Sequence, residues 1–311
     1  KCLLFNAPSL IIMISLNVAS NVVVDACYDD QQDVLFSVRP IEQLSRFISP
    51  YSFFSDFWEC VQLDSPNTLF AAAMSISSFI EHLPEVIALN FSDIFQFAIG
   101  CIKSDIHFVQ ESGFSILFQL VSRHYSLLAE LYDTLMEVMI PILQLSDHEP
   151  LVAIALTMLI ELLYLTEIPD SFIETLLQSL LQLISKISPN NIYLVFNALA
   201  GLIFSAKESI KKFIPSLGDF LIQAANYDPS QNPLVTSAGI EALSYVISCA
   251  PTETATIHEF AFHRMSELLQ IEDSSIFSSI MISLRELINI PPEPTSFPIP
   301  PDLLFSSMLK I

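Results

Sequence analysis

Four times along this chain an apolar residue is followed by a small one three positions later, and by apolar residues eight and eleven positions later. Val109, Ser112, Leu117 and Leu120 form one set, and Val152, Ala155, Ile160 and Leu163 another. Val235, Ala238, Leu243 and Val246, then Ile276, Ser279, Leu284 and Leu287, complete the four. Val195, Ala198 and Ile203 make a further set with Ala206 as a weak last member, and Leu69, Ala72 and Ile80 fit in part. From Val109 to Val152, Val195, Val235 and Ile276 the offsets are 43, 43, 40 and 41. Spacings of three, eight and eleven keep side chains on one side of a helix. The small residue lets a neighbouring helix approach, and the flanking aliphatics fill the ridge between units. One helix pair of that length cannot bury its apolar stripe alone, so the units must stack.

Polar or Pro-containing breaks separate the units: Asp64-Ser65-Pro66, Lys103-Ser104-Asp105, Ser146 to Pro150, Ser188-Pro189-Asn190, Asp228-Pro229-Ser230 and Glu272-Asp273-Ser274. Each unit holds a second helix, at about 91–103, 127–145, 171–187, 209–226 and 254–270. Units of about 40 residues built from two helices are of HEAT or armadillo type. The expected fold is therefore all-α, a HEAT/armadillo-type α-α superhelix of antiparallel helix pairs. Only 5 glycines in 311 residues agree, because sandwiches, barrels and phosphate-cradling loops consume many more. Residues 1–65 read as irregular N-terminal helices or divergent repeats, 66–290 as five to six repeats, and 291–311 as a Pro-rich tail with a short last helix from Asp302. A chain that opens on Lys1 rather than Met reads as an excerpt of a longer one.

Charge and motifs exclude several classes. Twelve basic against 34 acidic side chains leave a net charge of −22, which argues against nucleic acid as a partner. The aliphatic run 10–24 is interrupted by Ser15, Asn17, Ser20 and Asn21, short of the roughly 20 apolar residues a membrane span needs, so no membrane is expected. Cys2, Cys27, Cys60, Cys101 and Cys249 are odd in number and widely spaced, reading as reduced core thiols of an intracellular protein. Gly100, Gly113, Gly201, Gly218 and Gly239 lie singly within helical patterns, with no phosphate loop among them. His258 and His263 flank Glu259 at a spacing of five, which a helical zinc site does not use, and read as an exposed or capping pair. Asp105, near His107, reads as a helix cap, and Asp29, Asp30 and Asp33 as a hydrated loop. Neither an enzyme nor a cofactor is expected.

What remains is a surface. Acidic residues on the second helices recur at three- and four-residue spacing: Glu130, Asp133 and Glu137 in one, Asp170 and Glu174 with Gln178 and Gln182 in the next, and Asp93, Asp219, Glu259 and Glu267 at comparable places. Second helices line the concave wall of such a superhelix, so these carboxylates would stack into an acidic trough that attracts Lys/Arg-rich protein segments. Lys207, Lys211 and Lys212 interrupt it. A solvated helix face with no partner reads equally well from the residues alone.

Several stretches add a resemblance. Ile102-Lys103-Ser104-Asp105-Ile106 followed by Val109 and Ser112-Gly113-Phe114, then Met139 to Leu143, Ala153 to Leu163, Asn197 to Leu202, Asn232-Pro233-Leu234, Ser237-Ala238, Glu241-Ala242-Leu243 and Met265 to Leu269 together resemble the middle HEAT repeats of the importin-β (karyopherin-β) family. The resemblance covers about 66–290. It implies a nuclear transport receptor or a fragment of one, acting in cytoplasm, nucleus and nuclear pore. Basic cargo or adaptor segments would bind the concave face, Phe-Gly repeats of nucleoporins the convex face, and the GTPase Ran would release cargo. Phe-Gly side chains would enter pockets between first helices, where Met74, Phe114 and Phe118 sit off the packing stripe. This chain departs from the family at the break 146–150, where a long acidic Ran-binding loop is reduced to Asp147 and Glu149, and in having Trp58 as its only tryptophan. A different HEAT scaffold, such as a phosphatase regulatory, vesicle-coat or microtubule-associated subunit, is the alternative.

Overall fold

The computed structural model describes residues 50–61, 65–82, 84–124, 127, 131–251 and 254–288. The readings for Cys2, Cys27, the Asp29 loop, the run 10–24, Glu130 and the tail from 289 lie outside them. Among the described residues there is no strand. Helix α1 spans Pro50–Cys60, α2 Pro66–His82, α3 Pro84–Leu89, α4 Phe91–Ile102, α5 His107–His124, α6 Tyr132–Leu145, α7 Glu149–Leu165, α8 Asp170–Leu183, α9 Ile192–Ala206, α10 Ile214–Ala225, α11 Pro233–Cys249, α12 Ala255–Leu268 and α13 Ser274–Ile288. A 3₁₀ segment, Lys207–Phe213, joins α9 to α10.

The breaks act through their short polar side chains, which bond to backbone N–H groups that a helix start leaves free. Ser104 Oγ accepts the Ile106 N–H at 3.2 Å, so Ser104 rather than Asp105 closes the turn before α5. Ser146 does the same for His148 at 3.2 Å. Asn232 accepts the Leu234 N–H at 3.2 Å, with Pro233 in the first helical turn. Asp273 accepts from Ser275 at 2.9 Å and Ile276 at 3.0 Å, and the Ser275 hydroxyl and these N–H groups hold its carboxyl below the usual range.

Contacts divide the chain into two compact units, one holding residues up to Ile142 with Ser146–Met158, the other Leu143–Leu145 with the residues from Leu159 onward. In the first, α2 packs on α5 and α4 on α5. In the second, the first helices α9, α11 and α13 pack side by side in that order, with α8 against α9, and α10 and α12 against α11. The stripe read from the sequence is the buried one: Val109, Ser112, Leu117, Leu120, Val235, Ala238, Leu243, Val246, Ile276, Ser279, Leu284 and Leu287 are all buried. Two corrections apply. In α7 Leu159 is buried and Ile160 only half-buried. In α2 Ala72 and Ile80 are buried as read but Leu69 is only half-buried, and burial extends to Thr68, Ala71, Ala73, Ile76 and Phe79 as well.

Two glycines mark close helix contacts. A Cβ on Gly239 of α11 would lie 2.4 Å from the Ala225 nitrogen at the end of α10, and one on Gly113 of α5 2.8 Å from the Ala98 carbonyl of α4. Arg264 of α12 fastens the same α10 terminus, its Nε donating to the Ala225 carbonyl at 3.0 Å. Ser205 of α9 links successive hairpins by accepting the Ile168 N–H and donating to the Thr166 carbonyl, both at 2.8 Å.

Candidate protein-binding surface

Second helices repeat one core register. Ile94-Phe95 with Ala98, Leu135-Met136 with Met139, Leu176-Leu177 with Leu180, Leu217-Gly218 with Leu221, and Ala261-Phe262 with Met265 are their buried pairs. Exposed positions then recur with the same register. Asp133, Glu174 and Glu259 each stand three residues before the second member of that pair, and Glu137 and Asp219 one residue after it; all five are exposed, as are Asp93, Asp170 and Glu267.

Their partners differ. Glu267 is already engaged: Arg264 Nη1 donates to it at 2.9 Å and His263 Nε2 lies 3.2 Å away, with the Arg264 hydrogen bond lowering its pKa. Among the described residues Glu174 accepts only the Gln178 amide, at 3.4 Å. Asp170 shares a cavity of about 380 Å³ with Glu208, Lys211 and Lys212, so the basic interruption sits at that edge. Within the second unit every described Lys and Arg is held by its own chain: Lys186 by the Gln144 carbonyl, Lys207 by Glu167, Lys211 by Glu208, Lys212 over the Phe213 ring, Arg264 as above and Arg285 by Glu286. None of them meets Asp219, Glu174 or Glu259. The sequence alone hid the pairing of Lys186 and Arg264, because their partners come from other helices.

The apolar candidates fare unequally. Phe114 is fully buried and belongs to the core, which corrects its placement off the packing stripe. Met74 and Phe118 are half-buried. A feature the sequence reading missed stands in the second unit. Tyr164 of α7, Phe204 of α9 and Tyr245 of α11 form an aromatic row with ring centroids 5.6 and 5.2 Å apart, and Phe204 is 39% exposed. Their spacing of 40 and 41, the repeat length itself, was the available signal. The Tyr164 hydroxyl donates to Tyr245, whose own titration burial pushes up to about 12.

Other chemistry is sparse. Burial pushes the Cys101 thiol up to about 12, and Cys60 and Cys249 are half-buried. His258 is neither exposed nor a cap: its Nε2 is buried without a partner, its ring lies 4.9 Å from Phe262, and burial lowers its pKa. Among the described residues no three His, Cys, Asp or Glu side chains gather as metal ligands, and no helix is long and apolar enough to cross a membrane.

Neither a protein-family model nor a curated protein sequence matches this chain. Solved structures do. Kap121p, an importin-β family karyopherin, superposes with a TM-score of 0.75 over 92% of this chain and 29% of its own at 16% identity. The fold is that of a karyopherin HEAT solenoid. Kap121p bound to Pho4p and Kap121p bound to Nup53p each give a TM-score of 0.73 at 17% identity, over the same 92% and 29%. This chain thus spans less than a third of the Kap121p structures it matches, and at such identity the karyopherin likeness is one of architecture.

Proposed function

We propose that this chain is part of a nuclear transport receptor of the importin-β type, which binds basic cargo or adaptor segments along its second helices and moves between cytoplasm and nucleus. The observation that carries the reading is the charge arrangement of the second unit, where the described cations are engaged internally while Glu174, Asp219 and Glu259 stand exposed on successive second helices with no described cation beside them. Kap121p structures with Pho4p and Nup53p bound support protein segments as the partners of such a solenoid. Phe-Gly repeats would dock on first helices at the Tyr164, Phe204, Tyr245 row, with Met74 and Phe118 as the site read from the sequence. Release by Ran GTPase belongs to the same proposal.

A fluorescent Lys/Arg-rich peptide titrated at 50 mM and 300 mM salt tests it. Binding should weaken with salt, since exposed charges beyond a Debye length of about 10 Å are screened. Glu174→Lys with Glu259→Lys should weaken it about tenfold further at low salt. Salt-independent affinity, or wild-type affinity in the double variant, refutes the acidic face. Retention on a Phe-Gly resin that is lost in Phe204→Ala tests the second surface. Co-purification of a phosphatase or coat subunit, with no retention on that resin, would favour another HEAT scaffold.

A further inference from the structure

We infer that the first unit carries a socket for an arginine side chain, built around Trp58; this rests on the reading of the chain as a binder of basic segments. Trp58 of α1, Leu69 of α2, and Asp93, Gln96, Phe97, Gly100 and Cys101 of α4 line a hollow of about 620 Å³. That volume lies within the roughly 300–1,000 Å³ range of ligand pockets. The aromatic wall is firmly set. Trp58 and Phe97 have ring centroids 5.3 Å apart at 49°, and behind Trp58 lie Phe54 at 6.0 Å and Phe57 at 5.2 Å, both buried.

The polar lining chooses the occupant. Asp93 and Gln96 are exposed and bring a carboxylate and an amide to an otherwise apolar hollow. An apolar side chain filling it would strip water from Asp93 and leave the carboxylate without a partner, a costly arrangement. A cation fills the space, lies against the rings and pairs with the carboxylate. Arginine suits this better than lysine, because a planar guanidinium is more weakly hydrated, stacks on aromatic faces and offers several donors to Asp93 and Gln96. The Cys101 thiol, held protonated by burial, adds no charge. Gly100 keeps the hollow open: a Cβ there would meet nothing within 4 Å.

The chain's single tryptophan makes the test direct, since intrinsic indole emission reports Trp58 alone. The full chain is titrated with three synthetic peptides of equal length, with Arg, Lys or Phe spaced by Gly-Ser, while Trp58 emission and peptide anisotropy are followed together. The Arg peptide should bind most tightly and shift Trp58 emission; Gly100→Leu, which fills the hollow without touching the core, and Asp93→Asn should each weaken it about tenfold. Arg-peptide binding with unchanged Trp58 emission and unchanged affinity in Gly100→Leu overturns the socket and leaves the acidic-face reading intact. Preference for the Phe peptide also overturns it. Failure of both basic peptides to bind overturns the broader reading together with the socket.

Discussion

Replacing Gly239 by alanine probes the tightest of the five glycine sites. The added Cβ would lie 2.4 Å from the Ala225 nitrogen, 2.7 Å from the Ala224 carbonyl carbon and 2.9 Å from the Ala224 Cβ. These are atoms of the last turn of α10, whose end Arg264 fastens, so no side-chain rotation relieves the clash. Ordinary contact begins near 3.4 Å, so α10 and α11 must part by about 1 Å. Overpacking of this kind costs about 3 kcal/mol. Alanine recovers about 1 kcal/mol through its helix propensity, leaving a net loss of about 2 kcal/mol. Gly113→Ala should lose less, about 1 kcal/mol, because its nearest neighbours stand 2.8 Å away rather than 2.4 Å. Gly100→Ala, exposed within α4 and facing open space, should gain about 0.5–1 kcal/mol from propensity alone. Urea unfolding of each full-length variant, followed by far-ultraviolet circular dichroism, reads the three shifts. A Gly239→Ala chain as stable as the parent, or a Gly100→Ala chain destabilised as much as Gly239→Ala, would refute the claim that close helix approach rather than propensity dictates these glycines.

Two further substitutions test other links. Burial raises the Glu241 carboxyl above its ordinary value, although the Ser279 hydroxyl, donating at 2.5 Å, opposes this. A raised acid favours the folded state at low pH and loses that contribution as pH rises through its folded value. Glu241→Gln, which keeps the acceptor for Ser279, should therefore raise the melting temperature at pH 7, with the gain fading as pH falls toward the ordinary 4.5; a gain that grows on acidification refutes the burial argument. Lys207 holds φ 47° and ψ −119°, a region that side chains rarely adopt. Lys207→Gly and Lys207→Ala lose the same pairing with Glu167, so glycine should be the more stable by about 1 kcal/mol, the reverse of the helix-interior order. Thermal denaturation of the two variants decides it, and a more stable alanine variant would remove the strain.

How far the sequence carries depends on how sharply hydrophobicity marks a face. In α13 the small residue and its apolar companions fall on the buried side as read, whereas α11 is buried on nearly every side, so its stripe is buried along with its polar neighbours. In α2 the stripe is written in Ala71, Ala72, Ala73, Ser75 and Thr68, residues whose size rather than polarity decides burial, and the first residue read for it, Leu69, is only half-buried. Phe114 was misplaced for a related reason: α5 is covered by both α2 and α4, so burial extends past one stripe. Pattern could indicate a second helix after 209 but not its 3₁₀ start, which depends on the Lys207 backbone and on Pro215 opening α10. For the candidate surface, the carboxylates were legible as exposed positions. Their freedom from cations was not, because Arg264 and Lys186 spend themselves on carbonyls of neighbouring helices.

Register has one more consequence for any basic partner. Helix α10, with Asp219, packs beside α12, with Glu259, and packed helix axes lie about 8–10 Å apart. A peptide in polyproline II conformation has three residues per turn and rises about 3.1 Å per residue, so side chains at i and i+3 share one side about 9 Å apart. Basic residues at every third position can therefore meet successive second helices of this unit, whereas a contiguous basic block presents most of its charge away from them. A peptide with lysine at every third position should bind about tenfold more tightly than one of identical composition with its lysines adjacent. Long-range attraction alone depends on total charge and treats the two alike. Equal affinities would thus reduce the acidic face to a diffuse field, while a preference for threefold spacing would show that the helix repeat itself sets the reading frame of the partner.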